Sequence, residues 1–321
     1  MKSFVLFLFV TITFLNANND LTEYRFNGIK SIQKKMDFEL TKLDYWSDYL
    51  KGIDTRFGYI ESSLSILACS VNNSNIKLYK KDKNKKFVFN SEFNALTGKM
   101  KGDKKEEGDL KTPLGIYKLT KKIVKLDAFY GPMAFVTSYP NIYDKYKNKE
   151  GSGIWIHGLP EYEERDSFTK GCIAIDNNDI KSLDKKIKFE NTLLIIDNKK
   201  VDNIVSKEIL SHILSQLFEW RYAWINNDID SYLSFYSKDF KRFDGVGINN
   251  FKQYKKRIFS KNEYKSIIFQ NINVIPYPNA PRTYQVTFNE IYKSDSFNFK
   301  GDKILMVNID MQSNINIIAE K

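Results

Sequence analysis

A series of short apolar segments between residues 65 and 200 constrains the fold of this chain more than any other feature. The segments are SILACSV, IKLYKK, KFVFNSEF, GIYKLTKKI, MAFVTSY, GIWIHG, CIAI and NTLLIID. Runs of this length, rich in β-branched and aromatic residues and separated by Gly, Pro, Asn and Asp, are typical of β-strands. One helix is expected at DNNDIKSLDKKI. The pattern therefore predicts a β-rich domain over residues 65–200.

The region before this domain, residues 18–64, has a helical pattern. From Ile29 to Leu50, apolar residues recur at spacings of three and four, which places them on one stripe of a helix. Such a stripe needs a partner surface. The sequence leaves two partners open: the rest of the same chain, or a second copy in a homodimer.

The region after residue 200 predicts helices first, over residues 206–240 and again shortly afterwards, and then strands. The expected strands are KSIIFQNINVI, RTYQVTFNEIYKS, DKILMVNIDM and NINIIAE. Helices followed by long antiparallel strands indicate an α+β fold. The aromatic and acidic spacing of two segments, WRYAWINNDIDSYLSFYSKDF and FKQYKKRIF, resembles that of the NTF2-like fold, in which a curved sheet wraps around helices and leaves a pocket. The resemblance implies an NTF2-like domain over residues 201–321. A length of 321 residues also exceeds what one hydrophobic core usually serves.

The first residues, 1–17, are typical of a secretory signal peptide. Lys2 precedes an apolar run from Phe4 to Leu15, and a small residue, Ala17, is followed by polar residues. No later segment reaches the ~20 apolar residues that a transmembrane helix needs. We therefore expect a periplasmic protein without a membrane span.

The chain carries 50 Lys and Arg against 39 Asp and Glu, a formal net charge of +11. Such a charge could suit nucleic acid, an anionic membrane surface or another anionic polymer. The lysines, however, are scattered over segments such as KLYKKDKNKK, and no motif for reading bases is present. We therefore interpret the charge as a solvated surface and expect no nucleic-acid partner.

Histidine and cysteine each occur only twice, and one of each falls within residues 154–176. A neighbouring imidazole that takes its proton turns a thiol into a nucleophile. In GIWIHG, strand alternation puts Trp155 and His157 on one face. Gly171 precedes Cys172 and leaves room for a substrate carbonyl to approach backbone N–H groups. The pattern predicts Cys172 as nucleophile and His157 as base.

A disulfide and a metal site are the two other roles to consider for these residues. In an oxidising compartment, Cys69 and Cys172 could instead form a disulfide. A metal site is not expected, because Cys69, Cys172, His157 and His212 are too few and too dispersed to bind zinc. His212 is interpreted as a residue of a helix surface or a core. No cofactor is expected.

The sequence HG, followed after a short loop by Thr-Lys-Gly-Cys at residues 169–172, resembles the signature of the L,D-transpeptidase catalytic (YkuD) family. A second block, TGKMKGDKKEEGDLKTPLGIYKL, is similar to the upstream pattern of that family. The resemblance implies acyl transfer on peptidoglycan stem peptides, with Cys172 as nucleophile, His157 as base and the Gly158 carbonyl orienting the imidazole. It also implies that the backbone N–H groups of Gly171 and Cys172 hold the oxyanion.

The same resemblance implies a tetrapeptide stem as substrate, with attack at its third residue, usually meso-diaminopimelate, and loss of terminal D-alanine. Water as acyl acceptor gives a carboxypeptidase, whereas an amine gives a cross-linking transpeptidase. Lys170 stands where His or Arg is common in the family, and Ala174 where Asn or Arg is common. The loss of a polar group at Ala174 puts cross-linking in doubt.

The order of domains also resembles the cell-shape-determining peptidoglycan L,D-carboxypeptidases with a C-terminal NTF2-like domain. We therefore expect a carboxypeptidase that trims tetrapeptide stems to tripeptides. An L,D-transpeptidase and a non-catalytic peptidoglycan-binding scaffold remain the alternatives.

Further residues are predicted to contact substrate. The expected substrate-binding residues are Trp155, Lys170, Thr112 and Arg165, the last in the acidic loop PEYEERD, where it could pair with a terminal carboxylate. Lys303 and Glu320 each share a strand face with apolar residues, which predicts an accessory pocket that positions peptidoglycan. The alternative is that both side chains reach solvent at strand ends.

Overall fold

The computed structural model describes residues 2–161, 166–199 and 201–321, with side chains described from residue 19 onward. Its helices are α1 (Lys2–Glu39), α2 (Leu43–Tyr49), α3 (Ile142–Tyr146), α4 (Asn177–Lys186), α5 (Lys207–Ile225), α6 (Ile229–Ser234) and α7 (Ile248–Phe259). The α+β class is confirmed, with an N-terminal helical segment, a β-rich domain and a C-terminal α+β domain. None of the helices in the described ranges is both long enough and apolar enough to cross a bilayer.

The β-rich domain is a closed barrel. Its strands are β2 (Ser65–Ser70), β3 (Asn75–Lys81), β4 (Phe87–Leu96), β5 (Gly115–Ile123), β6 (Ala134–Thr137), β7 (Trp155–His157), β8 (Ile173–Ile175) and β9 (Thr192–Asp197). Their order around the barrel is β2-β3-β4-β8-β7-β6-β5-β9. All the strands predicted in this region are therefore confirmed. Leu67, Phe135, Ile156 and Ile173 belong to its buried core, and α4 adds Ile180 to that core.

The C-terminal domain is a six-stranded sheet packed against α5, α6 and α7, with the strand order β1-β11-β12-β13-β14-β10. Its strands are β1 (Tyr59–Ile60), β10 (Tyr236–Arg242), β11 (Lys265–Pro276), β12 (Thr283–Ser294), β13 (Asn298–Ile309) and β14 (Ile315–Glu320). Strand β1 comes from before the barrel and pairs with β11. In sequence, the barrel is thus inserted between β1 and the rest of the C-terminal domain.

The predicted helix over residues 206–240 is wrong at its C-terminal end. Helix α5 ends at Ile225, Asp228 caps α6 by accepting from Ser231 N, and the chain from Tyr236 forms β10. Tyr236 and Phe240 lie four residues apart and are both buried, a spacing that fits one face of a helix and one face of a strand alike. A register shift in the pairing of β10 with β14 accompanies this spacing on a strand.

The N-terminal stripe is not one continuous helix. Helix α1 breaks at Gly28, whose φ is +77°, and a second break separates Glu39 from Leu43. Beyond it, Trp46 and Leu50 are buried in the core of the C-terminal domain. Ile29 in contrast is 64% exposed. The last part of the stripe therefore packs within its own chain, and homodimerisation through the exposed part stays a prediction.

Two contacts tie the N-terminal segment to α5. The guanidinium of Arg221 pairs with the carboxylate of Asp37 at 2.6 Å. The ring of Trp46 lies 5.2 Å from the ring of Phe218. Both partners on α5 are buried, so α2 and the end of α1 form part of the C-terminal domain.

Candidate active site

The barrel brings His157 and Cys172 to neighbouring strands. Strands β7 and β8 are parallel, with Ile156 opposite Ile173 and His157 opposite Ala174. Cys172 immediately precedes β8, so strand alternation puts it on the same sheet face as His157, two positions before the residue that lies opposite His157. His157 is 1% exposed, whereas Cys172 is partly exposed. The thiol is therefore open to a substrate while the imidazole is held inside.

The backbone sets the tautomer of His157. Its Nδ1 lies 2.7 Å from the carbonyl oxygen of Gly158. Because a carbonyl oxygen can only accept, Nδ1 carries the hydrogen and Nε2 is left as the basic nitrogen. The Tyr130 ring meets the imidazole edge to face, with centroids 5.1 Å apart. This tyrosine, which no sequence pattern marks, holds the plane of the base.

The thiols of the two cysteines differ in environment. The Cys172 Sγ lies 3.4 Å from the carbonyl oxygen of Gly153. Cys69 lies in β2 and is fully buried, and this burial raises the pKa of its thiol to about 12. Both are free thiols, so the disulfide alternative is wrong. Cys172 alone of the pair combines exposure with a nearby imidazole.

Thr169 shapes the turn that carries Cys172. Its hydroxyl donates to the Cys172 carbonyl at 2.6 Å and accepts from Gly171 N at 3.0 Å. Gly171 has a φ of +133°, and a Cβ there would lie 2.8 Å from the Lys111 carbonyl oxygen. The turn therefore requires glycine. Because Gly171 N–H already donates to Thr169, its role in holding an oxyanion stays a prediction.

Comparisons with known proteins agree with this arrangement. Residues 66–199 match the family described as the L,D-transpeptidase catalytic domain (YkuD). The crystal structure of the helical cell shape determining protein Pgp2 from Campylobacter jejuni is 37% identical, with a TM-score of 0.79 over 88% of this chain and 99% of that chain. The chain belongs to the L,D-transpeptidase (YkuD) family. Residues 212–321 match the Cds6 C-terminal NTF2-like domain, which confirms the NTF2-like expectation.

Two more distant relatives share parts of this organisation. The structure of Bd1075 from Bdellovibrio bacteriovorus is 28% identical, with a TM-score of 0.67 over 84% of this chain and 97% of that chain. YafK from Escherichia coli (strain K12) is 31% identical over 100 residues, which is 31% of this chain and 36% of YafK. The chain thus matches well under half the length of YafK.

The upstream YkuD block, residues 97–119, forms a loop against the nucleophile turn. Thr169 N donates to the Thr97 carbonyl at 2.8 Å, and Lys99 N donates to the Thr169 carbonyl at 3.1 Å. Thr112 is buried, and its hydroxyl accepts from Gly98 N at 2.8 Å. The two motifs of the family therefore meet in space. The substrate-binding role of Thr112 stays a prediction.

Charged residues of the same YkuD block stiffen this loop. The Lys104 ammonium lies 2.9 Å from Asp109, which also accepts from Lys105 N at 2.8 Å. Burial by itself would raise the pKa of Asp109, but the Lys104 ammonium and backbone N–H donors lower it to about 2. In this loop, then, the charged residues of the motif have a structural role.

The Thr-Pro-x-Gly-x-Tyr part of the block joins the YkuD domain to the NTF2-like domain. A Cβ at Gly115 would lie 2.5 Å from the Tyr277 hydroxyl and 2.6 Å from the Tyr117 hydroxyl. Tyr277 belongs to the C-terminal domain, and its hydroxyl accepts from Asn141 Nδ2 at 2.8 Å. Tyr117 donates to Asp144 at 3.1 Å. The glycine is therefore required by close packing between domains.

Asn177 is a second site residue that the sequence analysis missed. Its side chain lies beside the loop that follows His157, and its amide bonds both backbone groups of Leu159, accepting from N at 2.8 Å and donating to O at 3.0 Å. Asn177 opens α4, where its side chain looks like an ordinary helix-start residue. Only the path of the chain brings it to the site.

Other predicted substrate contacts have different outcomes. Lys170 is exposed and Trp155 is partly exposed. The Trp155 ring lies 5.2 Å from the Tyr130 ring, beside His157. Arg165 lies outside the described residues. Substrate binding by Trp155 and Lys170 stays a prediction.

Lys303 and Glu320 lie together inside the NTF2-like domain. They form an ion pair, and Glu320 also accepts from the Tyr236 hydroxyl at 2.7 Å. Glu320 is buried, so the alternative that both reach solvent is wrong. Lys303 lines a cavity of about 480 Å³ that is also lined by Trp224, Tyr254, Lys255, Glu290 and Tyr292.

A labelling experiment tests the difference between the thiols. Treating the native chain with a thiol-reactive probe should modify Cys172 and leave Cys69 unmodified, because Cys69 is fully buried and its thiol pKa is raised to about 12. Intact mass and peptide mapping give the stoichiometry and the position. Labelling of Cys69 before denaturation would contradict the described burial.

Proposed function

We propose that the chain is a peptidoglycan L,D-carboxypeptidase that removes terminal D-alanine from tetrapeptide stems and leaves tripeptides. The observation that carries the proposal is the orientation of His157 by the Gly158 carbonyl on the sheet face that also presents Cys172. Membership of the L,D-transpeptidase family and the likeness to a helical cell shape determining protein support it. An effect on cell shape is part of the proposal.

The proposed reaction has two halves. In the first, Nε2 of His157 takes the Cys172 proton, and the thiolate attacks the carbonyl carbon of the third stem residue. The C–N bond to D-alanine then breaks, and the imidazolium gives its proton to the leaving amine. In the second half, His157 takes a proton from water, which attacks the thioester. The C–S bond breaks, the tripeptide leaves with a free carboxylate, and the thiol is restored.

Water is proposed as the acyl acceptor because of what surrounds the base. Ala174 lies opposite His157 and is fully buried. A methyl group at this position offers no hydrogen bond to an incoming amine. Without such a contact, a second stem peptide that acts as acyl acceptor is positioned less well than the first stem peptide, which is the acyl donor.

Product analysis tests the choice of acceptor. Purified tetrapeptide muropeptide should yield tripeptide and free D-alanine without cross-linked dimers, as measured by mass spectrometry. A chelator should leave the products unchanged, since the proposed steps use only protein side chains and water. Cross-linked dimers as the main product would instead establish a transpeptidase.

The location of the enzyme is also a proposal. The signal-peptide pattern of residues 1–17 and the peptidoglycan substrate both support the periplasm. Met1 and the side chains of residues 1–18 lie outside what the structure describes.

The cavity beside Lys303 is proposed to hold peptidoglycan without performing chemistry. Replacing Lys303 by Ala should reduce binding to intact sacculi and leave cleavage of small muropeptides unchanged, because the cavity lies in the domain without Cys172. Sedimentation with sacculi and muropeptide turnover measure the two effects. Lys300→Ala is the matched control, since Lys300 lies on the same strand and is exposed.

Loss of Lys303 also leaves Glu320 without its ion-pair partner, which can destabilise the domain. The double variant Lys303→Met with Glu320→Gln removes both charges and separates the two effects. If sacculus binding by this variant matches that of the wild type and of Lys300→Ala, the proposed role of the cavity is wrong.

A further inference from the structure

The cavity of the NTF2-like domain contains two kinds of charged residue. Lys303 and Glu320 neutralise each other, and the Tyr236 hydroxyl also donates to Glu320. This pair is therefore satisfied within the protein. Glu290 and Lys255 line the same cavity, and no ion pair among the described residues involves either of them.

Glu290 is a buried residue with one carboxylate oxygen that lacks a donor. It is 3% exposed, and no group among the described residues donates to its Oε2. On the neighbouring strand it lies opposite Gly301, which has no side chain to cover it. Buried polar groups normally have a hydrogen-bond partner, and leaving one unmade is costly. The carboxylate is thus placed to receive a donor from a ligand.

Lys255 is a buried cation held by aromatic rings. Its Nζ lies 4.6 Å from the ring centroid of Trp224, 5.1 Å from that of Tyr232 and 5.3 Å from that of Phe251. No ion pair within the described part of the chain involves this lysine. Burial lowers the pKa of Lys255 to about 8. An anionic group entering the cavity would find this ammonium without a competing carboxylate bound to it.

We propose that the cavity binds the zwitterionic end of an amino acid, with its ammonium at Glu290 and its carboxylate at Lys255. This inference rests on the proposed peptidoglycan-binding role of the cavity and names the group recognised there. A stem peptide carries such an end where a diamino acid leaves its side-chain ammonium and carboxylate free. The rings of Trp224, Tyr254 and Tyr292 give the cavity apolar walls for the methylene chain behind that end.

Calorimetric titration of the full chain with two peptides tests this recognition. The probe is the tripeptide product with a free diaminopimelate end, which the enzyme cannot trim further, and the control is the same peptide with that ammonium acetylated and that carboxylate amidated. We expect the free peptide to bind at least about tenfold more tightly, since both charged contacts need the zwitterion. Equal affinities for the two peptides would overturn the inference.

Substitutions locate the effect. Glu290→Gln and Lys255→Met should each reduce affinity for the free peptide by about tenfold or more and leave the blocked peptide unaffected. Unchanged affinity in both folded variants would also overturn the inference. If the melting temperature of a variant is well below that of the wild type, the inference is judged from the affinities of the wild-type protein for the free and the blocked peptide. Sacculus binding that depends on Lys303 but shows no preference for the zwitterion leaves the proposed function standing and the inference wrong.

One peptide group links His157 to Asn177. Leu159 N–H and the Gly158 carbonyl belong to the same peptide group. Asn177 Oδ1 accepts from that N–H at 2.8 Å, and the carbonyl lies 2.7 Å from His157 Nδ1. A Cβ at Gly158 would lie only 2.3 Å from Asn177 Oδ1. The Asn177 amide, the Gly158–Leu159 peptide group and the His157 imidazole are therefore closely packed and joined by consecutive hydrogen bonds.

We infer that Asn177 is a positioning residue for His157. By holding the Leu159 backbone at both its N–H and its carbonyl, it sets the plane of the peptide whose oxygen orients the imidazole. Acceptance from the N–H also polarises the Gly158 carbonyl, which makes it a stronger acceptor from Nδ1. The imidazolium formed in the reaction is stabilised by the same contact.

The pH dependence of Cys172 alkylation tests this role in a way that folding alone would not affect. Asn177→Ala should lower kcat by about tenfold or more with KM little changed, and should move the alkylation midpoint to higher pH, because a less stabilised imidazolium stabilises the thiolate less. Asn177→Asp keeps an acceptor for Leu159 N and should recover part of both. Asn178→Ala, at the exposed neighbouring position, is the control.

A wild-type alkylation profile and kcat in Asn177→Ala would overturn the inference. So would equal losses in the Ala and Asp variants accompanied by a lower melting temperature, since that result indicates a purely structural role.

Discussion

Replacing Cys172 by alanine should abolish D-alanine release from tetrapeptide muropeptides and leave the fold intact. In the proposed reaction the Sγ atom forms the bond to substrate, so its removal should delete the acyl-enzyme route and lower turnover by about a thousandfold or more. Cys172 is partly exposed and lies outside the buried core, so little stability is lost. Release of D-alanine measured by mass, together with a thermal melt, checks both parts.

Cys69→Ala is the matched control for this experiment. Cys69 is fully buried in the barrel core, so its replacement should cost stability and leave the chemistry unchanged. Turnover near that of the wild type in Cys172→Ala would reject the assignment. A wild-type protein that neither releases D-alanine nor acylates at Cys172 would favour the scaffold alternative.

Replacing Leu50 by alanine should lower the free energy of unfolding by about 2–5 kcal/mol, the usual cost of removing a fully buried leucine side chain. Leu50 is 0% exposed and packs in the core of the C-terminal domain, although it precedes the barrel in sequence. Trp46, Trp220 and Trp224 belong to the same core, so tryptophan fluorescence during denaturant unfolding reports on it.

Leu21→Ala is the control for the N-terminal segment, because Leu21 is 65% exposed. Its replacement should change stability by no more than about 0.5 kcal/mol. Light scattering of both variants, and of a chain from which residues 1–28 have been removed, tests homodimerisation. If Leu50→Ala leaves the free energy of unfolding unchanged, the segment is not stabilised by packing within its own chain. If the molar mass falls only when the first 28 residues are removed, a dimer interface lies before residue 29.

The sequence by itself determined the elements whose cause is local. Strands β2 to β9 were predictable because short apolar runs bounded by turn residues have few other stable conformations. The placement of Cys172 near His157 was predictable because a glycine before the cysteine and a strand ending at the histidine are local features of the sequence. Their roles as nucleophile and base stay proposals. The requirement for glycine at residue 171 is likewise visible as a motif, and its φ of +133° gives the reason.

Only the tertiary structure decided the features that depend on distant contacts. Tyr130 and Asn177 are ordinary in sequence and reach the site because the barrel brings their loops together. The last part of the helical stripe packs against α5 of the same chain because Trp46 and Leu50 are buried in the core to which α5 contributes. Lys303 and Glu320 form an ion pair with each other, whereas Glu290 and Lys255 line the cavity. Burial and pairing of this kind depend on distant contacts, and no local sequence pattern encodes them.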